Sequence, residues 1–183
     1  MQSLASGVLH FWFGEGAEHG KSHQRWFVKN DAFDAEIRSR FERLHDTLSS
    51  NRDWLDDAPA CLARIIVLDQ FPRNMFRGTA RAFASDALAL EAASVAVERA
   101  WDRGMLPVEQ LFVYLPFEHS ENLADQDRAC ELMKDFDAGQ RDYAERHRGI
   151  IRRFGRFPHR NALLGRASSP EEIEFLKTPG SGF

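Results

Sequence analysis

An all-α domain is the fold class this sequence predicts, and three observations predict it. Apolar residues recur at helical spacing along most of the chain. No stretch alternates polar and apolar at period two for long enough to make a strand. Prolines, glycines and capping residues divide the 183 residues into about eight helical lengths joined by short connections. The expected architecture is one domain over residues 1–183, with antiparallel helix hairpins forming a stack or an irregular bundle.

The elements follow in order. Ser3 can cap a first helix carrying Leu4, Val8, Leu9 and Trp12, which stops near Gly14. Residues 14–21 hold three glycines and no periodicity and read as a surface loop, followed by a short turn around residues 24–27. Asp31 caps a helix whose Phe33, Ile37, Phe41, Leu44 and Leu48 form one apolar stripe, with Arg38, Arg40, Glu42 and Arg43 outward. Pro59 suits the first turn of a buried helix over 60–71, which Pro72 should end at Phe71. Thr79 or Ser85 caps an alanine-rich helix running to Trp101, with Gly104 as terminator. Pro107 opens a helix with Leu111, Phe112 and Leu115 that Pro116 breaks or kinks. Ser120 can cap a helix over about 121–137, ended by Ala138-Gly139. A further helix, 140–154, presents Tyr143, His147, Ile150, Ile151 and Phe154. Ser169-Pro-Glu-Glu172 has capping-box spacing and launches a short last helix. The tail from Pro179 reads as coil, with Phe183 able to dock.

Bulk properties restrict the function classes. A formal charge of −4 argues against a general nucleic-acid binder, which carries a basic excess. No apolar run approaches the roughly 20 residues of a membrane span, and the N-terminus lacks a signal-peptide pattern. Cys61 and Cys130 each sit in an apolar helical pattern and read as buried thiols in a reducing cytoplasm. Fifteen phenylalanines stand against two tyrosines, a composition that fills space between helices.

The unusual polar residues gather at three corners: Arg73, Asn74 and Arg77; Glu118, His119 and Glu121; and Arg156, His159, Arg160 and Asn161. Counting up-and-down reversals puts all three at the same end of the stack. Two readings stand. In one, the corners line a pocket for a small anionic molecule or an anionic peptide end. Arg73, Arg156 and Arg160 would hold the anion and Asn74 and Asn161 would orient it, with Arg77, Glu121 and His159 as further lining. Glu118 and His119 would transfer protons in acid–base or hydrolytic chemistry. In the other, the charges pair among themselves as a lattice closing the end of a non-catalytic interaction module.

Other chemistries have weaker support. Metal-binding spacings such as His-Glu-x-x-His or Cys-x-x-Cys are missing, and neither a metal nor a cofactor is expected. Gly14-Glu-Gly16 lacks the ending of a phosphate loop. Ser120 between His119 and Glu121 is explained by a helix cap. His10 and His147 read as hydrogen-bonded core histidines, and His19 and His23 as solvated.

Several blocks carry a resemblance. Leu-Asp-Gln-Phe-Pro-Arg-Asn-Met-Phe-Arg-Gly (68–78), Pro-Phe-Glu-His-Ser-Glu (116–121), Leu-Ala-Asp-Gln (123–126) and Arg-Phe-Gly-Arg-Phe-Pro-His-Arg-Asn (153–161) resemble the signature blocks of the bacterial family called domain of unknown function 924. Val-Leu-His-Phe-Trp-Phe-Gly (8–14) and the closing Glu-Glu-x-x-Phe-Leu match as well, so the resemblance covers essentially the whole chain. It implies a fold akin to tetratricopeptide-repeat superhelices, although no repeat of about 34 residues is visible in the chain. It implies no reaction, cofactor or partner.

Overall fold

The computed structural model describes residues 2–182, so the docking expected of Phe183 lies outside the described residues. Among the described residues there are eight helical rods and no strand, as the spacing predicts. None of the helices is long and apolar enough to cross a membrane. The chain packs as two compact units. The first holds the chain up to Arg77 together with Arg81–Pro116; the second holds Gly78–Ala80 and everything from Phe117 on.

In the first unit, α1 (Gln2–Phe13) encloses Ser3 instead of starting after it. A short turn, Gly16–Glu18, interrupts the loop that follows, and a second, Gln24–Trp26, buries Trp26. Helix α2 (Asp31–Ser49) is capped by Asn30, not Asp31: the Asn30 side chain accepts from the amides of Ala32 and Phe33. Asn needs only to precede the first turn to satisfy those orphan donors, and the acidic Asp31 then favours the positive end of the helix. The buried face of α2 is Phe33, Ile37, Phe41, His45 and Leu48, so a histidine replaces Leu44 in the stripe.

Helix α3 (58–75) is the main departure from expectation. It starts under an Asp57 cap with Pro59 in its first turn, as expected. It does not end at Phe71. Residues Ile66–Gln70 widen into a π-helical turn, in which the Phe71 amide bonds to Ile66 O, and the α-helix resumes over Phe71–Met75 with Pro72 inside it. Pro72 has no N–H for the carbonyl four residues back, Leu68 O. The Ser85 hydroxyl donates to that carbonyl instead, at 2.6 Å. A proline break rule fails here because a side chain from elsewhere supplies the missing donor. Ser85 therefore precedes α4 (Asp86–Glu98) without capping it through its side chain. Helix α4 stops before Trp101; Ala100 adopts a left-handed conformation, φ 55°, and the turn to Gly104 is separate.

Rings fill the interior of this unit. Phe41 and Phe71 lie 4.7 Å apart, and Trp12 meets Phe112 edge-on at 5.5 Å. Phe27 is the exception among the described phenylalanines, at 62% exposed. Helix α5 (Pro107–His119) runs through Pro116, so of the two expected outcomes the break does not occur.

In the second unit, α6 (Leu123–Leu132) is capped by Asn122, not Ser120, and is shorter than expected. Ser120 instead donates to Asp125 at 2.6 Å. Ala138-Gly139 opens α7 (Ala138–Phe154) and does not end its predecessor, because Asp137 caps the amides of Gly139 and Gln140. Gly155, φ 70°, terminates α7 in the left-handed region that favours glycine. Helix α8 (Pro170–Leu176) has the full capping box between Ser169 and Glu172. Helices α6 and α7 pack together, and α8 packs on the turn Pro158–Arg160. Ile150, Ile151 and Phe157 form a buried cluster against which Phe154 and Phe175 pack.

Both cysteines are free. Cys61 is buried as expected and Cys130 only partly so, and burial pushes their thiols up to about 12 and about 11.

Candidate functional site

The first corner belongs to the first unit. Arg73 donates twice to Asp86, at 2.9 and 3.1 Å, and to the carbonyl of Asp69 at 2.6 Å, with the Asp69 carboxylate 3.2 Å away. Burial works against the charge on Arg73, but these two carboxylates raise its pKa above the ordinary guanidinium value. Asn74 and Arg77 both donate to Asp34, at 2.7 and 2.8 Å. Burial would raise the Asp34 pKa; the bonds from Arg77 and Asn74 outweigh it and hold the pKa below the ordinary value.

The second and third corners do come together within the second unit. Glu121 accepts from the Phe157 amide at 2.8 Å and, bidentately, from Arg166 at 2.6 and 2.9 Å. Burial opposes its ionisation, but Arg166 and the amide outweigh this and lower its pKa. Arg166 also donates to Asn161 Oδ1 at 2.9 Å, and Asn161 donates to Ser168 at 3.0 Å. Arg156 forms a fork with Glu172, at 2.7 and 2.9 Å, and reaches the Ala167 carbonyl. The Arg156 guanidinium and the Ser169 amide hold Glu172 down at about 2.

Deeper in the same corner, Glu118 is 1% exposed and His147 is 2% exposed. Glu118 Oε2 lies 3.5 Å from His147 Nδ1, and that nitrogen is 2.8 Å from the Tyr143 carbonyl. A carbonyl can only accept, so Nδ1 carries the hydrogen and Nε2 carries the lone pair. Burial pushes the His147 imidazole down to about 3, outweighing the bond to the Tyr143 carbonyl, and electrostatic interaction with His119, Arg160 and His159 adds to the lowering, so the ring is neutral at pH 7. The ring of His147 lies 6.4 Å from that of His119 and 5.7 Å from that of Phe157. Phe157 in turn touches His159 at 5.6 Å and carries the Arg160 guanidinium 4.6 Å above its face. One fully buried carboxylate, two further imidazoles and a buried guanidinium thus gather around the His147–Phe157 pair. Gln126, 0% exposed, fixes the backbone beneath them by donating to the carbonyls of Glu118 and Ser120 at 2.6 and 2.7 Å. These are end-of-helix acceptors that α5 cannot satisfy itself.

The match to known proteins is specific. The model of a family described as a bacterial protein of unknown function, DUF924, matches residues 8–180. The chain belongs to this family. A solved structure of a protein of unknown function from Agrobacterium tumefaciens is similar, with 40% sequence identity, a TM-score of 0.88, and coverage of 96% of this chain and 98% of that one. No protein of curated function matches. Family membership therefore fixes the helical architecture and brings no reaction with it.

The ten residues singled out from the sequence fall into two sets. Arg73, Asn74, Arg77, Glu121, Arg156 and Asn161 are each tied to named side chains of their own unit. Glu118, His119, His159 and Arg160 surround His147 and Phe157. Sequence reasoning missed Arg166, whose side chain reaches back to the corners. It placed His147 correctly in the core, on the apolar face of α7, without linking it to Glu118. Three other histidine readings are corrected: His10 is exposed, with Glu15 at 3.1 Å, and His23 packs on Trp26 and bonds to Phe13 O at 3.2 Å. His19, expected to be solvated, is partly buried and bonds to Glu109 at 3.1 Å.

Proposed function

We propose that this protein binds a small anionic ligand in its second unit, where Glu118, His119, His159 and Arg160 surround the His147–Phe157 pair. Glu118 and His147 then handle a proton on the bound ligand. The observation that carries the reading is the contact between a fully buried carboxylate and a neutral buried imidazole. Buried titratable groups whose states are set by desolvation and a named partner mark sites of proton transfer more often than chance. Arg160, still cationic over Phe157, supplies the anion's counter-charge. Acid–base or hydrolytic chemistry on such a ligand is the reaction class. A cytoplasmic location belongs to the same reading and is supported by two unbridged cysteines.

A second reading is favoured by a specific observation. The Glu121–Arg166 and Arg156–Glu172 forks are complete ion pairs, and they support a structural lattice closing a non-catalytic interaction module. A thermal-shift screen of phosphorylated and carboxylated metabolites separates the two. A ligand at about 100 times its Kd should stabilise the wild type by about 2.7 kcal/mol. Arg160→Gln should lose that stabilisation. No hit across the library, or hits of equal size on Arg160→Gln, would leave the lattice as the account.

A further inference from the structure

The first corner takes no part in the site around His147, and it has a concavity of its own. A cleft of about 350 Å³ lies between the first turns of α2 and the end of α3, all within the first unit. Asp31, Asp34, Ala35 and Arg38 line it from α2 at i, i+3, i+4 and i+7, one helical face. The buried Asn74 and Met75 line it from α3, with Arg77 just beyond them. Lys29 completes the lining.

Two guanidinium groups stand at one end of this cleft and are held in different ways. Asp34 holds Arg77, accepting from Nε at 2.8 Å and from Nη2 at 3.1 Å. Both hydrogens of Arg77 Nη1 are left for another acceptor. Arg38 comes one turn after Asp34, and its guanidinium lies 5.6 Å from the ring centre of Phe76, the residue before Arg77. Among the described residues no carboxylate lies within ion-pair distance of Arg38, and no acceptor takes its hydrogens. Glu42, the next carboxylate along α2, is taken by Arg81 at 3.4 Å. Lys29 pairs with Asp31 at 3.2 Å and Arg77 with Asp34, so of the charges lining the cleft that of Arg38 is left over. The Phe76 ring thus positions a cation without neutralising it, beside a second cation whose carboxylate is shared with Asn74.

We propose that this cleft binds a small phosphate monoester, with the phosphate group between Arg38 and Arg77. Two like charges side by side favour an anion that bridges them. The donors select phosphate over carboxylate: the open fork of Arg38 takes two oxygens and Nη1 of Arg77 a third, and a phosphate group presents three terminal oxygens where a carboxylate presents two. From there the cleft runs past Ala35 and Met75 to the Lys29–Asp31 pair, which suits a short body carrying hydroxyl groups. The volume is at the small end of the range for ligand sites, which favours such a body over a nucleotide.

Glycerol 3-phosphate is the probe, with glycerate as a carboxylate on the same short body and glycerol as the uncharged control. NMR of the full chain, read at the arginine Nε–H signals and the Asn74 side-chain amide, follows binding. Glycerol 3-phosphate should shift the Arg38 and Arg77 signals saturably, with glycerate weaker by about tenfold or more and glycerol without effect. Arg38→Gln removes a side chain that no carboxylate of the protein uses, so it should keep the melting temperature and weaken binding by about tenfold or more. Arg38→Lys keeps the charge and loses the fork, so it should recover only part of the affinity. Arg43→Gln, an exposed arginine of α2 outside the lining, and Arg160→Gln, in the other unit, should leave binding unchanged. Unchanged binding in Arg38→Gln, full affinity in Arg38→Lys, glycerate as tight as glycerol 3-phosphate, or no saturable shift up to the solubility limit would each overturn the proposal.

Discussion

Two buried histidines, one in each unit, look alike in composition and differ in what their neighbours allow. His45 in α2 has Ser85 at 3.2 Å from Nε2 and Asp46 at 3.4 Å from Nδ1. Those three residue types in that order are the parts of a nucleophilic triad. The hydroxyl hydrogen of Ser85, however, is committed to the Leu68 carbonyl at 2.6 Å, and the serine is 2% exposed. Ser85 is therefore not a nucleophile for His45 to activate; it serves the helix at Pro72. The Nδ1–H of His147 instead donates to the Tyr143 carbonyl, a buried carboxylate lies 3.5 Å from the same nitrogen, and the ring packs on Phe157. The comparison teaches that residue identity is a poor guide to chemistry, and that the destination of each hydrogen decides it.

The largest effect that sharpens this contrast is acid sensitivity. Burial lowers His147 to about 3 against an ordinary value of 6.5, so between those values the unfolded chain binds the proton and the fold does not. Stability should fall as pH drops through that window, by about 2 kcal/mol at pH 5 from this residue alone. His147→Gln should flatten that part of the stability profile, measured by denaturant unfolding at several pH values. His45 is shifted in the same direction by burial, so His45→Gln should flatten it further. Glu172 acts lower: held at about 2 against an ordinary 4.5, it contributes stability that is lost only as pH falls below 4.5. Glu172→Gln should lower stability at neutral pH and flatten only that lower limb of the profile.

Next in size is Ser85→Ala, which leaves a buried carbonyl without its donor and should cost about 1.5 kcal/mol. Adding Pro72→Ala restores an N–H for Leu68 O, and the double variant should recover part of the loss. A Ser85→Ala protein as stable as wild type would break the structural reading of the His45 cluster. The smallest expected change in stability is at Glu118. Glu118→Gln keeps the size and an acceptor facing His147 Nδ1–H, so unfolding should shift by less than about 1 kcal/mol. Any ligand found by the screen should lose its effect or its turnover in that variant. A collapsed melting temperature would instead make Glu118 part of the lattice.

Much of the fold was legible because helical periodicity and core composition are local properties. The Phe33–Leu48 stripe, the Ser169 capping box and the apolar run after Pro59 were all read from spacing. Boundaries failed where a distant side chain overrode a local rule. Pro72 should end a helix and Pro116 should break or kink one, yet α3 and α5 run through them, with Ser85 bonding back at the first. Gln126 supports the end of α5 in the same non-local way. Asn30, Asn122 and Asp137 took capping roles expected of neighbours, or not expected at all, because a short polar side chain one or two positions away can satisfy the same amides. The meeting of the second and third corners was legible from chain reversal. Arg166 was not, because nothing in a sequence says that an arginine past a turn folds back onto Glu121.

The measurement that bears most directly on the proposed site is the nitrogen NMR titration of the His147 ring in the folded protein. The account requires a neutral ring with its hydrogen on Nδ1 from pH 7 down to about pH 4, tracked through the long-range couplings of both ring nitrogens. A ring that takes up a proton near 6.5, or that carries its hydrogen on Nε2 at neutral pH, would contradict it.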